Sequence, residues 1–431
     1  MKDVYVVESA RTPVARAGKQ SWFANIRADE LSAIVMRELR KRVGLEDKTK
    51  QAAIIDDVVW AATSNALKET GNNAGRVSWL LSDGAYEVPA CTVDRMCASS
   101  LNAIELAAAS MMSGMGGEVM FAGGAQHMSH IPMIDGVSFH PDLGKYVNLD
   151  ALYMGYTAEI VARRFNQSRE QQDEFAMISH QKCAMAQDAN GGLGKTKDII
   201  IPIEAWVPKK SYKNDPLAPA PAYIATEYLA NEAKEKGEEL EKMVLFRDQG
   251  LRRDTTMESL AKMPTAFMQD EKATVTAGNS SQTNDAAAGV VLATEEGCKL
   301  LDRKPVYKIV SWAVVGCEPD VMGIAPTLAI PKALKRAGLT QKDIGLWEIN
   351  EAFASQARYC CVDALKLPMD RVNVWGSGIS IGHPLACTGA RIAADVVALF
   401  KDPDFSDVEY IVESMCIGHG HGAAMIFQRA K

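Results

Sequence analysis

Hydrophobic and polar positions follow two rhythms along the chain. Short runs rich in β-branched residues, such as "DVYVVES", "DDVVWAA" and "EVMFAGG", are typical of buried strands. Longer stretches, "LSAIVMRELRKRVG" and "LNAIELAAASMMSG", have helical spacing and end near glycine. Because the two kinds of segment alternate, the pattern predicts an α/β fold with buried sheets covered by helices.

The second half of the chain repeats the plan of the first. "PVYKIVSWAVVG" corresponds to the opening strand, and "GISIGHPLACTGARIAADVVALF" takes the place of "DRMCASSLNAIELAAASMM", a small-residue turn followed by a helix. The match is one of order and spacing rather than identity. A duplicated α/β unit predicts that one helix from each half lies in a central layer and that the two helix N-termini face a shared site.

The middle of the chain interrupts this pattern. We predict a first half made of residues 1–125 and 271–300, an inserted loop domain at 126–270, and a second half at 301–431. Within the insertion, a proline- and charge-rich stretch leads into "EYLANEAKEKGEELEKMV", whose Glu/Lys content indicates a solvated helix. We expect residues 203–247 to form a surface excursion.

Composition narrows the class of protein. The 431 residues are 47% apolar and 23% charged, an ordinary balance for a globular protein with a large core. The net charge of −7 and the absence of a basic stripe argue against a nucleic-acid partner. The N-terminal segment lacks the signal-peptide pattern, and no apolar run approaches the ~18 residues of a membrane span. The nine cysteines are scattered without a CxxC pair, so we expect reduced thiols in a cytoplasmic protein.

Four residues at predicted turns could carry chemistry. Cys97 lies in "RMCASS", His383 in "ISIGHPLACTGA" and Cys416 in "ESMCIGHGHGAA", while Asn350 follows a buried strand in "EINEAFA". A thiolate attacks a thioester or ketone, and a helix N-terminus or a neighbouring imidazole favours it. A second cysteine has a role in a reaction that makes or breaks a carbon–carbon bond. There, some group must remove a proton from the α-carbon of a thioester or return one to it. Glycines after it, including Gly418, could offer N–H donors to an oxyanion.

Each of these residues also has a structural interpretation, as a core cysteine, a packed histidine or a turn asparagine. The HxH spacing of His419 and His421 is a pattern that also occurs in metal sites. No set of cysteines or carboxylates at ligand spacing accompanies these two histidines. None accompanies the group of His127, His130 and His140 either, so we expect no metal.

Taken together, these stretches resemble the thiolase family. The resemblance rests on "VDRMCASSLNAI", "AGGAQHMSHIPM", "MGYTAEIVARRFNQSREQQDEFA", "TVTAGNSSQTNDAAAGVVL", "NEAFA", "GHPLACTGARI" and "MCIGHGHGAA", which occur in the family's order over essentially the whole chain. "QHMSHIPMIDGVSFHP", "AVVGCEPDVMGIAP" and "MCIG" are most similar to the bacterial degradative 3-ketoacyl-CoA thiolases, including the β-subunit type of the fatty-acid oxidation complex. Tyr153 stands where thiolases specific for acetoacetyl-CoA commonly carry histidine.

The resemblance implies a layered α-β-α-β-α fold and a CoA-dependent acyltransferase of fatty-acid metabolism. The reaction would be thiolytic cleavage of 3-ketoacyl-CoA by a ping-pong mechanism, with coenzyme A as substrate and no metal or redox cofactor. Three alternatives stay open: a short-chain acetyl-CoA C-acetyltransferase, a non-catalytic thiolase-like subunit, and a ketosynthase of the same fold. The last class typically lacks a second cysteine, so Cys416 argues against it.

The resemblance also implies roles for single residues. Cys97 would carry the acyl group, His383 would activate it, and Cys416 would move the α-proton. Asn350 would hold a water that forms one oxyanion site with His383, and the N–H groups of Cys97 and Gly418 would form the other.

Further residues would contact the substrate. Ser281 and Ala277 would lie along the pantetheine arm, and Met154, Met322 and Phe353 would line the acyl or pantetheine tunnel. For these three apolar side chains, plain core packing is the alternative.

The sequence departs from the family at several positions. Around the histidine turn, Ser377, Ile379 and Ser380 replace the usual residues, and His419 stands where glycine is common. The resemblance also suggests partners: thiolases form dimers or tetramers, and one branch binds a hydratase/dehydrogenase subunit.

Overall fold

The computed structural model describes residues 1–63, 69, 71–133, 135, 137–209 and 222–431. The strands are β1 (Val4–Arg11), β2 (Ala15–Arg16), β3 (Asp57–Ala61), β4 (Ala90–Val93), β5 (Val119–His127), β6 (Ile203–Pro208), β7 (Tyr223–Ile224), β8 (Leu240–Leu245), β9 (Asn284–Thr294), β10 (Tyr307–Gly316), β11 (Leu346–Ile349), β12 (Tyr410–Ile417) and β13 (His421–Arg429). The α-helices are α1 (Ala28–Arg42), α2 (Lys48–Ile54), α3 (Ala74–Leu81), α4 (Ser99–Met112), α5 (Met154–Arg164), α6 (Arg169–Asp188), α7 (Tyr228–Glu235), α8 (Met257–Ala261), α9 (Glu295–Leu301), α10 (Pro326–Ala337), α11 (Ala354–Arg358) and α12 (Thr388–Lys401).

The main sheet is a mixed one with strand order β11-β12-β13-β10-β1-β9-β5-β3-β4, and β2 pairs with β9. The strands of the first half run from β1 to β4 in this order, and those of the second half run from β11 to β10. A short antiparallel pairing joins the two halves of the sheet, with Tyr5 opposite Lys308 and Val6 opposite Tyr307. The sheet therefore divides at the boundary between the two repeats.

Helices separate and cover the two halves of the sheet. Helices α1 and α3 pack on one face of the first half, and α10 packs on β10, β12 and β13 of the second. Helices α4 and α12 lie between them, α4 against β3 and β5, and α12 against β1, β9 and β12. These contacts confirm the expected five layers, α-β-α-β-α.

The two central helices approach each other closely, as the repeat predicts. A Cβ on Gly389 would lie 2.4 Å from the backbone nitrogen of Leu101, so only glycine fits between them. The hydroxyl of Ser100 accepts a hydrogen bond of 2.8 Å from the backbone N–H of Ala390. Since these contacts lie in the first turn of each helix, they bring both helix N-termini to one place.

Strand β9 shows how the sequence suits this layering. It is buried at each of its 11 positions, because α1 packs on one face and α12 on the other. Its run of alanine, glycine and valine presents small apolar side chains to both faces, as a strand buried on two sides requires.

The insertion contains more regular structure than the sequence indicates. Helix α7 covers only Tyr228–Glu235 and is followed by Gly237 at φ +83°, after which β8 begins. Strand β8 pairs with β6 in a three-stranded sheet whose side chains, Met243 and Leu245 among them, join the core of the first half. The expected solvated helix is wrong for this stretch, because alternate apolar residues of "LEKMVL" face that core.

The expected surface excursion at residues 203–247 is wrong for β6 and β8, because alternate side chains of both strands lie in the core of the first half. The proline-rich residues 210–221 of the expected excursion lie outside the described residues. The division into domains at 126–270 and 301–431 stays a prediction.

Among the helices that the structure describes, none is long and apolar enough to cross a membrane.

Candidate functional site

Cys97 lies in a tight turn, Met96–Ala98, directly before α4. The turn is held by the hydroxyl of Ser99, which donates to the carbonyl of Met96 at 2.6 Å and accepts from the N–H of Arg95 at 2.8 Å. Met96 adopts φ +48°, an unfavourable conformation for a residue with a side chain. Strain of this kind at the neighbour of a thiol indicates a turn that is fixed for function.

The thiol of Cys97 is neutral in the resting protein. Burial raises its pKa to about 11, although the backbone N–H groups of Gly418 and of Cys97 itself donate to the sulfur and oppose the rise. The backbone donors at the helix start lower this pKa, as expected, but desolvation outweighs them. A base must remove the proton as the thiol reacts.

His383 is positioned through its backbone. Its N–H donates to Oδ1 of Asn284 at 2.8 Å, and Nδ2 of Asn284 donates to the carbonyl of Ala15 at 2.9 Å. Gly382 precedes it at φ +132°, where a Cβ would lie 2.7 Å from the Asn284 side chain. The histidine turn is thereby fixed to β2 and β9 of the other half.

The ring of His383 has a defined tautomer. Its Nδ1 lies 2.7 Å from the hydroxyl of Thr388, and that hydroxyl donates its single hydrogen to the carbonyl of Pro384 at 3.0 Å. With the hydroxyl donating to that carbonyl, Nδ1 carries the ring hydrogen and Nε2 keeps a lone pair. Burial, helped by the charge of Arg391, lowers the pKa of His383 to about 3, so the imidazole is a neutral base.

Asn350 follows β11 and meets the histidine. Its backbone N–H donates to the carbonyl of Ser414 on β12, and its side-chain nitrogen lies 3.3 and 3.4 Å from the two ring nitrogens of His383. Its Oδ1 is buried without a hydrogen-bond partner among the described residues. A buried amide oxygen in this state indicates room for a bound water or substrate group. Glu351 instead accepts from the Ser179 hydroxyl at 2.6 Å.

Cys416, near the end of β12, is only 1% exposed. Burial, and then the nearby Cys97, raises the pKa of its thiol well above the ordinary value. Two residues later, a Cβ on Gly418 would lie 2.8 Å from Cε of Met96 and 3.2 Å from Sδ of Met154. Gly418 thus packs against the ends of two methionine side chains where its backbone N–H reaches the Cys97 sulfur.

The apolar residues that we assigned to the tunnel gather around the second cysteine. Cys416, Met322 and Phe353 belong to one small cluster, against which Met154 packs. The cluster is separate from the larger clusters on the sheets, and the assignment of these side chains to a tunnel stays a prediction beside plain core packing.

The two residues assigned to the pantetheine arm lie in the segment before β9. The N–H of Ser281 donates to the carbonyl of Ala352 at 2.9 Å. Ala277 lines a cavity of about 140 Å³ together with His180, Arg252 and Gln282. Ser281 thus meets the chain at the residue before Phe353, whereas Ala277 lines a separate small cavity.

The reactive residues converge because their turns pack together. The turn of Cys97 lies against β12, which carries Cys416, and against the turn Leu385–Cys387 that follows His383. The roles of all ten assigned residues stay predictions.

Sequence reasoning missed Thr388 and Asn284, which position His383. Thr388 could have been found, since a hydroxyl five residues after a histidine, in the first turn of a helix, can reach back to the ring.

The histidines after Cys416 do not form a metal site with other described residues, among which no group of three or more metal-ligating side chains occurs. His419 has φ +67°, a conformation that suits glycine, and its ring centroid lies 5.9 Å from that of Phe139. The backbone thus explains why glycine is common at this position.

Comparison with known proteins supports the family. The family model "Thiolase, N-terminal domain" matches residues 4–296, and "Thiolase, C-terminal domain" matches residues 303–429. The chain is 40% identical to a 3-ketoacyl-CoA thiolase of Bacillus subtilis, covering 99% of this chain and 100% of that protein. It is 37% identical to a 3-ketoacyl-CoA thiolase of Yersinia enterocolitica, with 100% of both chains covered.

A solved structure of another enzyme has the same fold as this chain. The crystal structure of the Bacillus anthracis acetyl-CoA acetyltransferase matches with a TM-score of 0.78 at 30% identity, covering 100% of this chain and 99% of that one. The predictions of fold, family and acyltransferase class are confirmed. The chain belongs to the thiolase family.

Proposed function

We propose that this thiolase cleaves 3-ketoacyl-CoA with coenzyme A, giving acetyl-CoA and an acyl-CoA shortened by two carbons, as in fatty-acid β-oxidation. The observation that carries the proposal is the pairing of a buried Cys97 thiol, held by the N–H of Gly418, with a second buried thiol at Cys416. The full-length relatives named 3-ketoacyl-CoA thiolase support the direction and the substrate class.

The first half-reaction begins with proton transfer. Nε2 of His383 takes the proton of Cys97, and the sulfur attacks the 3-keto carbon. The C2–C3 bond then breaks, leaving the acyl group on Cys97 and acetyl-CoA as its enolate. Cys416 gives its proton to the enolate carbon, and acetyl-CoA leaves.

The second half-reaction returns the enzyme to its starting state. Cys416, now a thiolate, takes the proton of the incoming CoA thiol. The CoA sulfur attacks the acyl-cysteine, and the Cys97 thiolate that departs takes the proton from His383. Each residue regains its original proton, so no metal or external oxidant takes part.

Two sets of donors stabilise the charges that develop on oxygen. The N–H groups of Cys97 and Gly418, which contact the resting sulfur, would face the oxygen on the attacked carbon. Asn350, with an ordered water and the protonated His383, would stabilise the enolate oxygen of acetyl-CoA. The unpartnered Oδ1 of Asn350 supports this role, because it has capacity for the water.

Substrate binding follows from the surfaces that lead to the thiols. The pantetheine arm would pass Ala277 and Ser281, and the acyl chain would contact Met154, Met322 and Phe353. The thioether and aromatic side chains suit an alkyl chain, since they are apolar and adaptable.

A short-chain acetyl-CoA acetyltransferase is the second candidate, favoured by the 30% identity to the Bacillus anthracis enzyme of that name. The two candidates differ in acyl chain length. A series of 3-ketoacyl-CoA substrates from four carbons upward separates them, because only the degradative enzyme keeps its kcat/KM with long chains.

We also propose a cytoplasmic homodimer or homotetramer, with a hydratase/dehydrogenase subunit as a further partner. Free thiols at all nine cysteines are consistent with a reducing compartment. Light scattering of the purified protein, alone and with such a subunit, tests the assemblies.

The reaction itself is tested by intact-protein mass spectrometry. Mixing the protein with a 3-ketoacyl-CoA should add one acyl group to Cys97, and added CoA should remove it. Cys97→Ser should show no covalent acyl group. A persistent acyl adduct in that variant, or no acetyl-CoA from any chain length with the unmodified protein, would overturn the proposal.

A further inference from the structure

A second cleft lies on the far side of the segment that borders the Ala277 cavity. Its volume is about 600 Å³, in the range of small-molecule sites. Residues 16–22, from the end of β2 onward, form one wall, and residues 247–253 form the other. None of the residues assigned to catalysis or to the pantetheine arm lines it.

The segment 247–253 separates the two cavities. Leu251 and Arg253 line the second cleft, whereas Arg252 lines the Ala277 cavity. Gln249 fastens the walls of the cleft together: its Oε1 accepts from the N–H of Arg16 at 3.0 Å, and its Nε2 donates to the carbonyl of Gln20 at 3.1 Å. The cleft is therefore a built feature with a fixed width.

Positive charge dominates the lining of this cleft. Its cationic side chains are Arg16, Lys19, Arg247 and Arg253. Its carboxylate, Asp248, is occupied, since both of its oxygens bind the guanidinium of Arg11 at 2.7 and 3.0 Å.

The cations also act on one another. Arg253 pairs with Asp188 at the exposed rim. Burial and then the charge of Arg16 lower the pKa of Arg252 in the neighbouring cavity, and the carboxylate of Asp254 opposes that shift. A bound anion would reduce the repulsion between such like charges.

We propose that this cleft binds the phosphate groups of a polyanionic ligand. Guanidinium groups pair with phosphate oxygens through two parallel hydrogen bonds, and Lys19 adds a positive charge on the wall that carries Arg16. Two sources share this chemistry: the nucleotide end of coenzyme A, and a separate phosphorylated metabolite. Only the first source rests on the proposed function.

Binding of pyrophosphate to the full-length protein, measured by isothermal titration calorimetry, tests the proposal. We expect one saturable site. Arg16→Gln and Lys19→Gln should each weaken it by about tenfold, the loss of one charge-assisted contact. Lys299→Gln, an exposed lysine on α9, is the matched control and should bind as the unmodified protein does. Thermal unfolding checks that each variant is folded.

Competition distinguishes the sources. If pyrophosphate raises the KM for coenzyme A competitively, the cleft holds the nucleotide end of the substrate. If it binds equally well to protein saturated with coenzyme A, the cleft serves a separate ligand. Absence of saturable binding below about 5 mM, or equal binding by folded Arg16→Gln, Lys19→Gln and Lys299→Gln variants, overturns the proposal. Because the titration needs no turnover, its failure is distinct from failure of the thiolase reaction.

Discussion

The hydroxyl of Thr388 lies 2.7 Å from Nδ1 of His383 and donates its own hydrogen to the carbonyl of Pro384. This relationship fixes which ring nitrogen is free to act as a base. It also makes Thr388 a positioning residue that acts through the histidine.

Replacing Thr388 with valine should lower kcat by about 100-fold, the scale of a general-base contribution. Valine keeps the shape of the side chain but offers no acceptor to Nδ1–H, so the proton can move to Nε2 and remove the base. Steady-state kinetics on the purified variant measure the loss. Thr388→Ser, which keeps the hydroxyl, should retain most of the activity, and equal losses in both variants would contradict this role.

His383 should remain an active base well below neutral pH. Its pKa is lowered to about 3, and a histidine with a lowered pKa stays unprotonated at every pH above that value. The rate of Cys97 acylation should therefore show no acid limb near pH 6.5 when it is followed by stopped flow from pH 8 to pH 5. An inflection between pH 6 and 7 would show that the imidazole is charged in the resting site.

Cys416→Ala should separate the two halves of the chemistry. Acylation of Cys97 should persist, whereas exchange of the α-protons of acetyl-CoA with deuterated water should fall by at least about 100-fold, because the proton carrier is gone. Nuclear magnetic resonance of acetyl-CoA follows the exchange. Cys360→Ala, a buried cysteine outside the proposed proton transfers, is the control, and unchanged exchange in Cys416→Ala would reject the assignment.

His419→Gly should raise the free energy of unfolding by about 1 kcal/mol, the usual cost of a left-handed conformation for a residue with a side chain. The reason is the φ of +67° at His419. Urea unfolding measures the change. His421→Gly, outside the residues of positive φ, should not stabilise the protein, and a destabilised His419→Gly would show that the Phe139 contact outweighs the backbone strain.

Acid should destabilise the protein partly through His180. Burial, with Arg252 nearby, lowers its pKa to about 4 from the ordinary 6.5. Between these values the unfolded chain binds a proton that the folded chain does not, so stability falls as pH falls, by roughly 1.4 kcal/mol per unit. His180→Asn should flatten the pH dependence of urea unfolding between pH 6.5 and 4. His421→Asn, at an exposed position, should leave the slope unchanged.

The parts of the fold that the sequence predicted well are those with a strong period. Helices α1 and α4, strands β1 and β5, and the matching turns before α4 and α12 follow the apolar spacing. Strand β8 was missed because Glu241 and Lys242 interrupt its alternation and suggest a helix. Tertiary packing against the first-half core decided the outcome there.

For the candidate site, the sequence likewise indicates the residues but not the properties that depend on tertiary packing. The identities of Cys97, His383 and Cys416 could be proposed from residue type and motif order, since chemistry requires them. Their ionisation could not, because the pKa of about 11 at Cys97 arises from burial by distant parts of the chain. The tautomer of His383 likewise depends on the geometry around Thr388.

The close contact between Gly389 and Leu101 has a consequence for the protein during its synthesis. The thiol of Cys97 leaves the ribosome almost three hundred residues before His383 does. Because a chain folds from its N-terminal part onward, the first half exists for a time without its base. In the proposed roles of Cys97 and His383, docking of α12 against α4 would assemble the reactive pair, and an unfinished chain would carry an unactivated thiol.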